Sequence, residues 1–292
     1  MTTPWLAILN PKAGPQRSDR RLHGIADRLR RELDAQVVFT ERPGHAMQLA
    51  AESAPSQGIA AFGGDGTIAE VVNGMSLNDQ RLLVLAGGTG NGLARDLGLM
   101  SLEASLAAAR ADRIRRVDLV RVSFLANEQT HSRLEISTAS FGYAAEVVVL
   151  SNRNFKWLGP FCYPLAATVQ AVRQQSFFLA VHTGQQQTKV TVSNVMVNNT
   201  RHAGNFSAFR RSRLDDGKMD VLLARAGTVT QMLHNLAVLS KTYFYATAPD
   251  FETNQIRFAL PVSTRLMIDG ELWEGVSEAR FEVLPGVLKC VA

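Results

Sequence analysis

Carboxylates recur in glycine-rich turns along this chain, and their neighbours indicate what they can do. Asp65 lies in "FGGDGTIAEVVNG" (62–74), where an apolar run ends in glycines and a helix pattern starts at once. Asp216 lies in "LDDGKMDV" (214–221), and Asp269 and Glu271 lie in "IDGELW" (268–273). Such groups supply hard oxygen ligands suited to Mg2+, or accept a proton from an attacking hydroxyl. Glycines ahead of a helix let backbone N–H groups approach a phosphate closely, and the helix start adds partial positive charge. These residue types point to phosphoryl transfer, which needs positioning, charge neutralisation by a metal and a carboxylate beside the nucleophile. Each has a plainer reading. On that reading Asp65 is a turn residue bonding its own backbone, and "DDG" and "IDGE" are hairpin turns.

The elements that must hold these residues fall into two textures. Over the first ~120 residues strand and helix patterns alternate. "WLAIL" (5–9), "QVVFT" (36–40), "GIAAF" (58–62) and "RLLVLA" (81–86) read as strands. Ser18 or Asp19 caps a helix whose Leu22, Ile25, Leu29 and Leu33 form an apolar stripe. This alternation predicts a parallel sheet covered by helices. Ligands of such sheets sit beyond the carboxyl ends of the strands. Three strands end there in phosphate-friendly sequence: "NPKAG" (10–14), "GGDGT" (63–67) and "GGTGNG" (87–92). No "GK[ST]" follows the glycines, and no G-x-G-x-x-G opens the chain, so neither a Walker A loop nor a Rossmann fingerprint is present.

From about residue 116 short strand runs separated by turn residues predict an antiparallel, β-rich second domain. Helices are expected near 160–175 and 228–243, and the terminal "VLKCVA" is expected to return to the first domain. The domain expectation is therefore 1–118, a nucleotide-binding α/β unit, and 119–292, a β-rich lipid-binding unit.

The chain has 292 residues, 46% hydrophobic and 20% charged, an ordinary globular profile. Its two cysteines, Cys162 and Cys290, match no metal spacing and fit a reducing compartment. No secretory signal and no membrane-spanning run is read, so a cytoplasmic location is expected. The formal net charge is +5, with arginine clusters at 17–31, 110–116 and 201–213. These are solvated faces or contacts to an anionic lipid surface or a phosphorylated substrate. Nucleic acid is not an expected partner, because no binding motif or aromatic interleaving accompanies them.

"GGDGTIAEVVNG" followed by "GTGNGLA", with "LNPKAG" before and "LDDGKMDV" and "IDGELW" after, resembles the diacylglycerol kinase and sphingosine kinase superfamily. The resemblance spans almost the whole chain. It implies an N-terminal α/β nucleotide domain related to NAD kinases, a C-terminal antiparallel β-rich lipid-binding domain, and an ATP- and Mg2+-dependent lipid kinase. It places Asn10, Thr40, Gly63, Gly64, Asp65, Gly66, Thr67, Thr89, Gly90 and Asn91 at the nucleotide. Glu271 matches the base for the lipid hydroxyl. Asp216 matches a ligand of a structural Mg2+, completed by main-chain oxygens near Arg213 and Lys218. Asp65 matches either a base or part of a water–magnesium network. The implied partners are a membrane lipid, met by peripheral contact with an anionic bilayer, and a second copy of the chain in a homodimer.

The sequence also departs from the pattern. Bacterial diacylglycerol kinases usually read "GTxNDFA" and "GFDA", whereas Gly92 and Ala144 stand at those aspartates here. "GTGNGLA" and "FGYAAEV" are closer to sphingosine and ceramide kinases, which would make Glu146 a headgroup ligand. Otherwise Glu146 is a solvent-facing helix residue. The stretch "NFKWLGPFCYPL" (154–165) either lines an acyl pocket or packs as core. Two further functions fit the motifs less well: a kinase of a soluble substrate such as NAD, and a non-catalytic nucleotide- or lipid-binding protein.

Overall fold

The computed structural model describes residues 4–14, 19–151, 154, 162–173, 176–184, 186–203, 206–207, 209, 212–224 and 251–292. The expected helix at 228–243, Ser18, and much of the stretch 154–165 lie outside them, as do parts of the arginine clusters at 17–31 and 201–213.

The first half alternates β1 (Trp5–Leu9), α1 (Asp19–Leu33), β2 (Ala35–Phe39), α2 (His45–Glu52), β3 (Gly58–Gly63), α3 (Asp65–Gly74), β4 (Leu82–Ala86), α4 (Gly92–Leu97) and α5 (Leu102–Ala111). Next come β5 (Ile114–Ala126), β6 (Gln129–Glu135), β7 (Thr138–Gly142), α6 (Tyr143–Leu150), α7 (Cys162–Arg173), β8 (Phe177–Thr183), β9 (Gln186–Val192) and β10 (Asn194–Asn198). The described chain then adds β11 (His202–Ala203), β12 (Phe206–Ser207), β13 (Met219–Ala224), β14 (Phe251–Thr253), β15 (Gln255–Ile268) and β16 (Glu271–Val291).

β1 through β4 pair in parallel in the order β2-β1-β3-β4. Trp5–Leu9 and Gly58–Gly63 are buried throughout, as strands covered on both faces must be. α1 buries Leu22, Ile25, Ala26 and Leu29, a stripe at helical spacing, against that sheet. With β1 flanked by β2 and β3, the chain leaves β1 in one direction and returns past it to β3. The crevice beyond the ends of β1 and β3 is the topological switch point, where open parallel sheets bind ligands.

The second half is antiparallel. β15 pairs with β16, β7 and β8, and β10 joins β7 to β13. Its core centres on Phe141, Phe258 and Phe281, all fully buried, with rings edge-to-face at centroid distances of 5.6, 6.0 and 5.7 Å. Such pairs add about 0.5–1.5 kcal/mol each beyond their buried area.

One sheet carries both halves. β16 runs antiparallel to β5 from Val276 to Val291, and Cys290 pairs in parallel with Leu82 of β4. Leu288, Cys290 and Val291 pack into the core of the first half. Burial pushes the Cys290 thiol up to about 12, which leaves it an apolar packing group. Among the described residues no helix is long and apolar enough to cross a membrane.

Candidate active site

The glycine loops meet at the switch point. β3 ends at Gly63, Gly64 caps α3, and Asp65 occupies its first turn. The Gly87 N–H donates to the Gly63 carbonyl at 2.9 Å, which ties the second loop to the first. At Gly88 only glycine is possible: a Cβ there would lie 2.3 Å from the Gly64 Cα. Asn10 reaches across from β1, its Nδ2 donating to Thr67 Oγ1 at 2.9 Å. Thr40 is buried just past β2, its N–H on the Leu9 carbonyl at 2.9 Å. Thr89 is exposed at the loop tip, and the Gly90 carbonyl accepts from Arg95 Nε at 2.9 Å.

Asn91 adopts a left-handed backbone, φ 56°, at the start of α4. Its side chain accounts for this. Oδ1 accepts from the Gly88 N–H at 2.8 Å and Nδ2 donates to the Gly88 carbonyl at 2.7 Å. The loop is thereby locked before α4 begins, and the starts of α3 and α4 are tied together by the Gly92 N–H on Asp65. A cavity of about 250 Å3 opens there, lined by Asn10, Gly14, Phe62, Gly87, Gly88 and Asn91.

Asp65 is held inside this arrangement. Its Oδ1 accepts the Gly92 N–H at 2.7 Å. Burial raises its pKa, opposed by backbone hydrogen bonds at Gly92 and Asn91 and by the charge of Arg95. Opposite lies the Asp269–Gly270 turn, where a Cβ on Gly66 would come within 3.9 Å of the Asp269 carbonyl. Ile268 pairs with Glu271 across this two-residue turn, and both central residues have positive φ, 48° and 91°. It is a hairpin turn of the Asp-Gly kind. The plain reading of "IDGE" thus describes its backbone. The Asp269 side chain goes further: its carboxylate accepts from the N–H groups of Ile136, Ser137 and Thr138 at 2.7, 2.9 and 3.1 Å. Burial pushes its pKa up to about 6 against those three bonds, and the Asp65 charge adds to the rise.

Glu271 is exposed, with the Arg133 guanidinium 3.4 Å away and stacked over Trp273 at 4.9 Å. Glu146 is neither free nor merely solvated. Arg265 Nη1 contacts both of its oxygens at 2.8 and 2.7 Å, while Arg265 Nε holds Glu274.

Asp216 sits apart, in an exposed turn where its Oδ1 accepts the Lys218 N–H at 3.1 Å. Its pKa is raised by burial, and by the charges of Asp118 and Glu252. That negative field suits a cation. Among the described residues no group of three or more His, Cys, Asp or Glu side chains forms a metal cage. Arg213, at the other end of the turn, is directed by its side chain to Asp215 at 3.3 Å.

Several residues escaped the sequence reading. Asp118, 2% exposed, straps the "DDG" turn to the end of the sheet: Oδ2 accepts the Gly217 N–H and Oδ1 the Gly286 N–H, both at 2.7 Å. Glu135 is fully buried with both carboxyl oxygens unpartnered, and its pKa is raised well above the usual value by burial and by Asp269. In each case the available signal was a carboxylate at an inward position of an apolar strand, "RRVDLVRV" and "SRLEIS". Asp96 accepts the Arg201 N–H at 2.7 Å and pairs with His202 Nδ1 at 2.5 Å. This pairing explains Gly92. The His202 carbonyl lies where a Cβ on Gly92 would stand, 2.7 Å away, so an aspartate does not fit here.

Residues 4–122 match the diacylglycerol kinase catalytic domain, and residues 137–292 match the YegS C-terminal NAD kinase β-sandwich-like domain. The chain is 28% identical over 175 residues to sphingoid long-chain bases kinase 1 of Arabidopsis thaliana, covering 55% of this chain but only 22% of that protein. It is 25% identical to a diacylglycerol kinase of Staphylococcus haemolyticus, over 80% of this chain and 71% of the relative. A crystal structure of a diacylglycerol kinase from Bacillus anthracis superposes with a TM-score of 0.76 at 20% identity, over 99% of this chain and 96% of the other, and so shares its fold. The chain belongs to the diacylglycerol kinase family of lipid kinases, with an NAD-kinase-like α/β domain followed by a β-sandwich domain.

Proposed function

We propose that this kinase transfers the γ-phosphoryl group of ATP, with Mg2+, to the hydroxyl of a diacylglycerol-like lipid. The observation that carries the reading is the meeting of Asp65, beside the locked glycine loops, with the Asp269–Glu271 turn from the other half of the chain. The crevice fits a polyphosphate. Its glycine backbones leave no room for Cβ atoms, so a phosphate can approach the main chain closely there. Asp65 fits Mg2+, which is commonly held by one or two carboxylates and the phosphates themselves rather than by a protein cage. When bound, that ion would draw charge from the β- and γ-phosphates.

The chain's own residues divide the remaining work. Asn10 and Thr67, bonded to each other, would orient the phosphates across the switch point. Asp65 is already committed to the Gly92 N–H, which suits a positioning carboxylate. Glu271 is exposed and touched only loosely by Arg133, so it is the better acceptor for the proton of an arriving hydroxyl. Arg133, fixed over Trp273, would keep that carboxylate turned toward the cleft. Asp216 and the main-chain oxygens of Arg213 and Lys218 would hold a structural Mg2+ in the field of Asp118 and Glu252.

Glu146 bears on the substrate. Its two contacts to Arg265 would have to break before it met a cationic amino headgroup, which favours a neutral lipid alcohol over a long-chain base. The enzyme would work in the cytoplasm and visit an anionic bilayer peripherally. A kinase of a soluble dinucleotide is the second reading, supported by the NAD-kinase-like fold alone.

The test is transfer of labelled γ-phosphate to mixed micelles of diacylglycerol, monoacylglycerol, sphingosine, ceramide or phosphatidylglycerol, with NAD as the soluble arm. The expected outcome is Mg2+-dependent labelling of diacylglycerol above sphingosine. Labelling of NAD alone would replace this reading with the second one.

A further inference from the structure

Two of the arginine clusters in the sequence meet in space, away from the glycine loops. Arg115 at the start of β5, Arg201 just before β11, and Arg213 ahead of β13 line one cavity of about 260 Å3. Asp96, Ser212, Leu214 and Asp215 complete its wall. Each guanidinium is held by a partner that leaves charge over. Arg115 Nη2 and Arg213 Nε clip opposite oxygens of Asp215, each at 3.3 Å, so one carboxylate serves two cations. Arg201 Nε donates to a neutral group, the Ser212 carbonyl, at 3.0 Å. Asp96 makes no ion pair with this guanidinium, since its two oxygens bond the Arg201 main-chain N–H and His202 instead. Among the described residues no carboxylate lies within ion-pair distance of the Arg201 guanidinium.

Three planar guanidiniums set against the two carboxylates of Asp96 and Asp215 leave the basin with an excess of positive charge. Its fork geometry suits phosphate oxygens, which arginine binds in bidentate fashion. The position gives the basin a route to the reaction centre. Arg201 adjoins His202, whose carbonyl packs over Gly92, whose N–H in turn holds Asp65. Asp215 adjoins Asp216 in the turn that Asp118 straps to the sheet.

We propose that this cavity is a second, non-substrate site for a phosphate-bearing ligand, seated by Arg115, Arg201 and Arg213 and released from any role in the transfer itself. The phosphate could be the headgroup of an anionic lipid or a soluble phosphate. The same guanidiniums would take either. The site stands on its own geometry, and its test does not depend on turnover or on the kinase reading.

The experiment compares wild type with the double variant Arg115→Gln/Arg201→Gln, and with Arg115→Lys/Arg201→Lys as the control that keeps the charge. Titration calorimetry with inorganic phosphate is one arm. Cosedimentation with phosphatidylcholine vesicles, with and without phosphatidic acid, is the other. The expected result is a tenfold or greater loss of binding in the glutamine variant in at least one arm, with partial retention in the lysine variant. Loss only in the vesicle arm assigns a lipid headgroup, and loss only in the calorimetric arm assigns a soluble phosphate. Phosphate held at the glycine loops would survive both double variants, so equal binding by all three proteins overturns the proposal. So does the absence of binding in both arms. Unchanged melting temperatures of the variants guard against a loss caused by unfolding.

Discussion

In the parallel half, the candidate site is made of main chain. Two glycine loops press together at Gly64 and Gly88, Asn91 locks the second, and the Gly92 N–H at the start of α4 holds Asp65 at the start of α3. In the antiparallel half it is made of carboxylates that reach far along the sequence to grip backbone N–H groups. Asp269 spans to residues 136–138, and Asp118 to Gly217 and Gly286. The contrast has a physical root. A helix start offers free N–H groups by its nature, so the parallel half needs only close approach. Strand ends and hairpin turns in the other half leave donors pointing inward, and an ionisable side chain must answer each. One half therefore depends chiefly on close approach of main chain, fixed by a few amide and hydroxyl side chains, and the other on buried carboxylates.

The sharpest break in this comparison is at Asp65, the carboxylate that the main-chain half holds among its loops. Asp65→Asn keeps shape and an acceptor for the Gly92 N–H but removes the charge. Phosphoryl transfer is expected to fall about a thousandfold, or about 4 kcal/mol in barrier, with an unchanged melting curve. Near-normal turnover would show that Asp65 is only a turn residue.

Next in size is Asp269→Ala, which strands three buried N–H groups and is expected to cost about 3 kcal/mol of stability by denaturant titration. Its titration has a definite sign. A carboxyl whose folded pKa is raised from 3.8 to about 6 favours the folded state most below its ordinary pKa, and that contribution is lost as pH rises through about 6. Wild-type stability should fall over this window, and the fall should shrink in Asp269→Ala. An identical pH profile would remove Asp269 as its source.

Gly88→Ala probes the other construction. Its Cβ would meet backbone at 2.3 Å, so the loops must part, at a cost of roughly 1–3 kcal/mol and with weakened nucleotide binding. A calorimetric nucleotide affinity equal to that of wild type would mean that the loops do not form the cradle.

The smallest effect has the opposite sign. Glu135 is a buried carboxyl with no partner, so Glu135→Leu is expected to raise stability by about 1 kcal/mol. A loss of stability there would mean that Glu135 answers a donor as Asp269 does.

What the sequence made legible follows the same division. The glycine loops, the order of strands and helices through α5, and the motifs from "GGDGT" to "IDGE" are local patterns, and local patterns report main-chain geometry. β2 ends at Phe39 and leaves Thr40 just beyond it, a one-residue difference at a frayed end. Asp118, Arg265 and the Asp96–His202 pair were not legible, because each acts on residues 99 to 168 positions away. Their only trace was a charged residue in an apolar strand or a lone histidine. Gly92 read as a missing aspartate, yet the structure makes it a space filled by the His202 carbonyl. Only the fold could supply that reason.

The central claim is that carboxylates from both halves serve one transfer. The direct measurement is the rate of Mg2+-dependent γ-phosphoryl transfer from ATP to diacylglycerol in wild type, Asp65→Asn, Glu271→Gln and the double variant. Groups acting in one step are non-additive, so the double variant should be no slower than the slower single variant. Losses that multiply, or a Glu271→Gln enzyme as fast as wild type, would contradict the account.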